Sequence, residues 1–321
     1  MACIGAMVLL VGGGITYLAL SRGGEDPTAA PPTSETPTEP TSPGEPSTPT
    51  EEPSDPPQSE TSGFEVVSQI DVPPGDADEL WAIMGDNPLV TGTLPDISSC
   101  ELPATPVDPD AAQLQAVLDS SAACLNQLWA TASSDRGLPW ASPSVVVYTW
   151  PDVPPESACT PDSFEEDFPR MCNLDTTIYW PLGYGTAGEF ADEASVPGAY
   201  LWDLAYVYTN AVTWNSSLVA YYSALTSQLE GTDEERLNDA WRRYSLQMQC
   251  MAAASSMQGP AASTPTSELR DALTSPDSWE EGEPPRTISP ENRARWIGTG
   301  FDSGGDLTQC NTWIADAALV V

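Results

Sequence analysis

Carboxylates and thiols are the side chains of this chain whose types could support catalysis. The 321 residues hold 47 Asp and Glu, ten cations that are all Arg, and no His. The missing His excludes Ser-His-Asp and Cys-His catalysis, an imidazole general base and an HExxH zinc site. Asp203, with Glu189, Asp192 or Glu193, could form an acid/base pair of the kind used in glycoside hydrolysis. Acids are abundant enough here for such neighbours to arise from composition alone. The thiols point elsewhere. Cys3 stands apart at the N-terminus, and Cys100, Cys124, Cys159, Cys172, Cys250 and Cys310 contain no CxxC spacing. An even number of scattered cysteines argues for disulfides in an oxidising compartment rather than a metal cluster, and spacing alone leaves 15 pairings open. Asp302-Ser-Gly-Gly-Asp306 is too short for a calcium loop.

The charge pattern sets the surroundings of this chemistry. A formal net charge of −37 opposes binding to nucleic acid or anionic lipid. Residues 4–20 form 17 uncharged, mostly apolar positions, a length that fits a short transmembrane signal anchor. Arg22 follows this run and no basic residue precedes it, which taken alone favours the opposite orientation to the one the cysteines suggest. Residues 25–61 consist almost wholly of Pro, Thr, Ser and acids, without an aromatic residue. Such a tract cannot bury enough apolar surface to offset its ordering entropy, and extended it would reach about 100 Å. Nine acids lie in it, so the remainder carries 38 acids against nine arginines and is itself strongly acidic. The organisation expected is a signal anchor over 1–24, a disordered stalk over 25–62, a variable entry segment over 63–99 and a folded domain over 100–321.

The domain must place its chemistry on a few regular elements. Residues 110–130 repeat apolar positions at helical spacing behind an Asp-Pro-Asp start. Residues 144–150 and 176–180 are rich in β-branched and aromatic types and predict two strands. A Pro-rich link between them carries Cys159 and Cys172. Residues 198–229 read as one long helix. Thr232-Asp-Glu-Glu235 reads as a capping box opening a helix to about Ser256. Ser289-Pro290-Glu291 opens a last helix carrying Arg293, Trp296 and Ile297. The pattern is mainly helical with a small sheet, an α+β domain.

Three stretches in order resemble the bacterial, actinobacterial-type neutral zinc metallopeptidases. They are Cys159 through Cys172-Asn-Leu-Asp-Thr-Thr-Ile-Tyr-Trp180, then Tyr244-Ser-Leu-Gln-Met-Gln-Cys-Met-Ala-Ala253, then the tail from Ser289 through Gly-Phe, Ser-Gly-Gly and Cys310-Asn-Thr-Trp313. The resemblance spans roughly residues 100–313. It implies a zincin-like fold and the disulfides Cys159–Cys172 and Cys250–Cys310, with Cys100–Cys124 as the remaining pair. The family's metal chemistry does not carry over. The helix matching HExxH holds Trp202, Asp203 and Tyr206 at the His, Glu and second His positions. A register one residue later puts Asp203 and Val207 at the ligand positions. The third ligand falls on Ser245 and a family Asp on Gln249.

Trp202 and Tyr206 then read as core aromatics filling the space of a metal and its water. Asp203 is the one catalytic-type residue retained, a carboxylate expected to be capped by an Arg or Tyr; Arg242, Arg243, Arg293 and Arg295 are the candidates. The resemblance implies a membrane-anchored, extracytoplasmic, catalytically inactive pseudopeptidase with a binding or scaffolding role. It needs no cofactor or metal, and its partner would be a peptide or an envelope protein. The alternatives are a carboxylate-based hydrolase using Asp203 and a purely structural envelope interaction protein.

Overall fold

The computed structural model describes residues 63–68, 71–189, 192–282 and 284–321. The signal anchor and the stalk lie outside the described residues. Among the described residues no helix is long and apolar enough to cross a membrane.

The first helix, α1 (Ala77–Gly85), starts at a capping box in which Asp76 accepts from the Glu79 backbone and Glu79 answers the Asp76 N–H. Its Leu80, Ile83 and Met84 enter the main core, so the segment expected as a variable entry contributes to it. Helix α2 (Ala111–Asp135) opens on a second capping box, Asp110 with Gln113, and buries the apolar stripe read from its spacing. It runs a turn further than residue 130 before Arg136 closes it.

The sheet has three strands in the order β1-β3-β2, where β1 is Ser144–Tyr148, β2 is Arg170–Cys172 and β3 is Thr177–Pro181. β1 runs parallel to β3, with Ser144 beside Thr177, and β2 pairs antiparallel, with Cys172 beside Thr177. Every residue of the central β3 is buried. The outer edge of β1 is closed by a side chain: Gln115 of α2 donates to the Val145 carbonyl at 2.9 Å and accepts from the Val147 N–H at 2.8 Å. This blunts an edge that would otherwise accept another strand. Tyr148, Cys159, Phe164, Cys172 and Tyr179 form a second small cluster on the far side of the sheet.

The long helix expected over 198–229 is two helices, α3 (Val196–Asn215) and α4 (Leu218–Leu229). Between them Ser217 adopts φ of +67°, a left-handed conformation that interrupts the ladder. The break is held from far along the chain. Ser217 Oγ accepts from the Val67 N–H at 3.1 Å and donates to its carbonyl at 2.9 Å, and Tyr221 does the same with Glu65. Helix α3 is not a one-sided amphipathic helix. Buried at 17 of its 20 residues, it is the central element of the domain.

Helix α5 (Glu234–Ser256) takes Asp233, not Thr232, as its N-cap; the Thr232 hydroxyl instead donates back to carbonyls of Gln228 and Leu229. A short α6 (Ser267–Leu273) precedes α7 (Pro290–Asp302), which begins at Ser289 with Pro at its first turn as the sequence predicts. At Gly300 a side chain would overlap the Cys250 carbonyl, so glycine is what lets α7 lie directly on α5. The cysteine pairs are Cys100–Cys124, Cys159–Cys172 and Cys250–Cys310, with Cα separations of 5.3, 5.9 and 5.4 Å. They are the pairs the resemblance implies.

Candidate functional site

Helices α3, α5 and α7 meet in the interior, and their facing side chains define the site. Trp202 and Tyr206 stand one turn apart on α3, and Ser245 and Gln249 one turn apart on α5. The Gln249 amide donates to the Tyr206 oxygen, and the Arg293 guanidinium of α7 lies close enough to act on the same phenol. The Trp202 ring packs against Phe301 of α7 with centroids 5.5 Å apart. Arg293 sits over the Trp279 ring at 5.2 Å. Trp202, Tyr206, Ser245, Gln249 and Arg293 are no more than 4% exposed.

Burial dominates the electrostatics. It pushes the Tyr206 hydroxyl up to about 12, against the opposing pull of Arg293 and the Gln249 hydrogen bond. Burial also lowers the Arg293 guanidinium below its ordinary value, with Tyr206 acting in the other direction. Several polar atoms here have no hydrogen-bond partner: Arg293 Nε and Nη1, Trp202 Nε1, Ser245 Oγ and Gln249 Oε1.

Asp203 belongs to a different environment. It is fully buried, and Thr186, the first residue of a short 3-10 turn, bonds it. The Thr186 N–H donates to Oδ2 at 2.8 Å, and the Thr186 hydroxyl lies 3.2 Å from both carboxylate oxygens. Gly185, at φ of +143°, brings this loop close, since a Cβ there would meet Tyr200 Cε1 at 2.7 Å. The arginines considered as caps for Asp203 are placed otherwise. Arg242 and Arg243 pair with Asp239, Arg293 stacks on Trp279, and Arg295 lines a groove on the outer side of α7. Asp192 and Glu193 are exposed in the turn before α3, and the Asp192 carboxylate caps the Ala194 N–H at 3.0 Å. The Glu189 side chain lies outside the described residues. With Asp192 or Glu193, the acid/base pair on Asp203 therefore sets a fully buried carboxylate against an exposed one.

The structure brings Tyr206 and Gln249 into contact, sets Trp202 and Ser245 one turn away on the same faces, and separates Asp203 from them. Arg293, a candidate cap of Asp203 by sequence, instead joins Tyr206 and Gln249, and Thr186 is not read from the sequence as a member of either site. The signal for Arg293 is present in the sequence: Arg293, Ile297 and Phe301 repeat every four residues, which places the arginine on the apolar stripe of α7. Thr186 sits in a short turn and carries no such signal.

Zinc fits this junction poorly. A catalytic zinc needs about three protein donors of the His, Cys or carboxylate type. The donor set here is an indole, a phenol, a hydroxyl and an amide beside a fixed guanidinium charge that would repel a dication. Among the described residues no group of three His, Cys, Asp or Glu could hold a metal ion. Two surface grooves, of about 550 and 700 Å³, lie along α7 near Arg295 and beside Trp150 and Phe164, and neither is lined by the junction residues. No family model, curated protein or solved structure matches the chain.

Proposed function

We propose that this chain is a membrane-anchored, extracytoplasmic metallopeptidase-like protein without peptidase activity. Its zincin-like domain serves to bind or organise a peptide or an envelope protein. The observation that carries the reading is the α3–α5–α7 junction. The side chains meeting at the positions of the family's zinc site are Tyr206 and Gln249, with the guanidinium of Arg293 against them. A fixed cation takes the place where that chemistry would put a metal. The disulfide pairs support the reading, because they follow the order the resemblance implies and suit an oxidising compartment. The acidic surface keeps such a domain soluble and apart from acidic polymers.

The full chain, purified in detergent from cells grown with added zinc, tests the chemistry. The expected result is a substoichiometric metal content and no cleavage of casein. Stoichiometric zinc together with casein cleavage would overturn the proposal. Protease treatment of intact cells tests the topology: the domain is expected to be lost from the outside, and protection until lysis would place it in the cytoplasm.

A further inference from the structure

Arg293 is a buried cation with a pronounced shortage of partners. It is 1% exposed, and its Nε and Nη1 atoms have no hydrogen-bond partner. Among the described residues the ion pairs are Arg236–Asp78, Arg242–Asp239 and Arg243–Asp239, and no carboxylate lies within ion-pair distance of Arg293. In a chain with 47 acids, this absence is not a matter of supply. An isolated buried charge is strongly unfavourable unless it is paired. The Trp279 face offers part of the compensation through its quadrupole, and the Tyr206 phenol is neutral below its raised titration range.

The neighbouring unpartnered atoms have a common character. Trp202 Nε1 is a donor only and the Ser245 hydroxyl can donate; each lies one turn along its own helix from the Tyr206–Gln249 contact. A buried guanidinium with two unpartnered donors and no carboxylate within ion-pair distance is a site for an acceptor that carries negative charge. A water molecule could accept some of these bonds but leaves the charge uncompensated. Arg293 is buried and lines neither groove, which favours a small ion over an oxyanion or a ligand carboxylate.

We propose that the α3–α5–α7 junction binds one small monovalent anion of halide size, held by Arg293 Nε and Nη1. The inference rests on burial and unpartnered donors, and it stands whether or not the pseudopeptidase reading does. The ion neutralises the guanidinium buried where the three helices meet. Because the protein is strongly acidic, its field works against anion entry, and selectivity arises from the dry, donor-rich interior.

The test is thermal unfolding of the full chain in detergent, in sodium chloride against sodium gluconate at fixed ionic strength. Chloride is expected to raise the midpoint saturably, by about 3–6 °C at tenfold its dissociation constant. Arg293→Gln is expected to abolish the chloride effect. Arg236→Gln, which removes an exposed pair, is expected to retain it. Should Arg293→Gln fail to fold, chlorine-35 line broadening by the wild-type chain, reversed by bromide, decides the question. Equal midpoints in the two salts, a chloride effect that survives Arg293→Gln or vanishes in Arg236→Gln, or the absence of reversible broadening would each overturn the proposal.

Discussion

Arg243 and Arg293 are two buried arginines of one core, each near a tryptophan, and their surroundings differ sharply. Arg243 lies where α5 meets the tail. Its Nε bonds Asp239 at 2.8 Å, and its Nη1 donates to the Thr312 carbonyl and, at 2.9 Å, to that of Ala315. Thr312 returns a hydroxyl to the Arg243 carbonyl at 2.7 Å. Arg293 lies where α3, α5 and α7 meet, and two of its nitrogens bond nothing in the protein. The first arginine is a staple whose donors are consumed by the fold. The second holds its donors in reserve. The difference separates a buried charge whose donors the fold consumes from one whose donors it leaves open, and the proposed anion would take the second.

Substitutions should separate the two. Arg243→Met takes one of two arginine partners from Asp239 and leaves two carbonyls without their donor, and a loss of about 3–5 kcal/mol is expected by denaturant unfolding. A loss under about 1 kcal/mol would show that the tail is not held by this side chain. Thr186→Val removes the hydroxyl that donates to the buried Asp203 and keeps the backbone N–H, and should cost about 1–3 kcal/mol by the same measurement. No loss would mean that the carboxylate does not depend on that hydroxyl. Arg293→Met, measured in chloride-free buffer, should shift stability by less than about 1 kcal/mol in either direction, since it exchanges an unpaired buried charge for an apolar side chain. A loss as large as that of Arg243→Met would show that Arg293 is already fully partnered.

Alkaline pH sharpens the contrast further. Burial raises Tyr206 to about 12, above the value near 10 of an unfolded chain. A phenol raised in this way contributes stability that is complete below pH 10 and is lost as pH climbs toward 12. Burial also raises Tyr148 to about 12, and it raises Tyr200, Tyr208, Tyr222 and Tyr244. The midpoint of thermal unfolding should therefore fall steeply above pH 10, and Tyr206→Phe should make the fall shallower. An unchanged slope in Tyr206→Phe would remove this phenol from the junction's energetics.

Much of the framework is written locally. Ser289-Pro290 and Asp110 start their helices where cap chemistry says they should, and the β-branched run at Ser144 is a strand. The break at Ser217 is not local. It contains neither Gly nor Pro, and a left-handed serine is held there by Val67, 150 residues earlier in the chain. Helix α1 carries an explicit capping box, but it is short and lies among Pro and Gly residues that read as loop. β2 is three residues long, below what alternation can reveal. At the junction, Tyr206 and Gln249 follow from the resemblance. Trp279 and Thr186 reach their sites from short turns, where spacing carries no information about which helix they will meet.

The most direct test is anomalous diffraction from crystals of the full chain soaked in bromide, with data collected at the bromine and zinc absorption edges. The account predicts one bromine peak beside Arg293 and no zinc peak between α3 and α5. A zinc ion between those helices, with no bromine at the guanidinium, would contradict it.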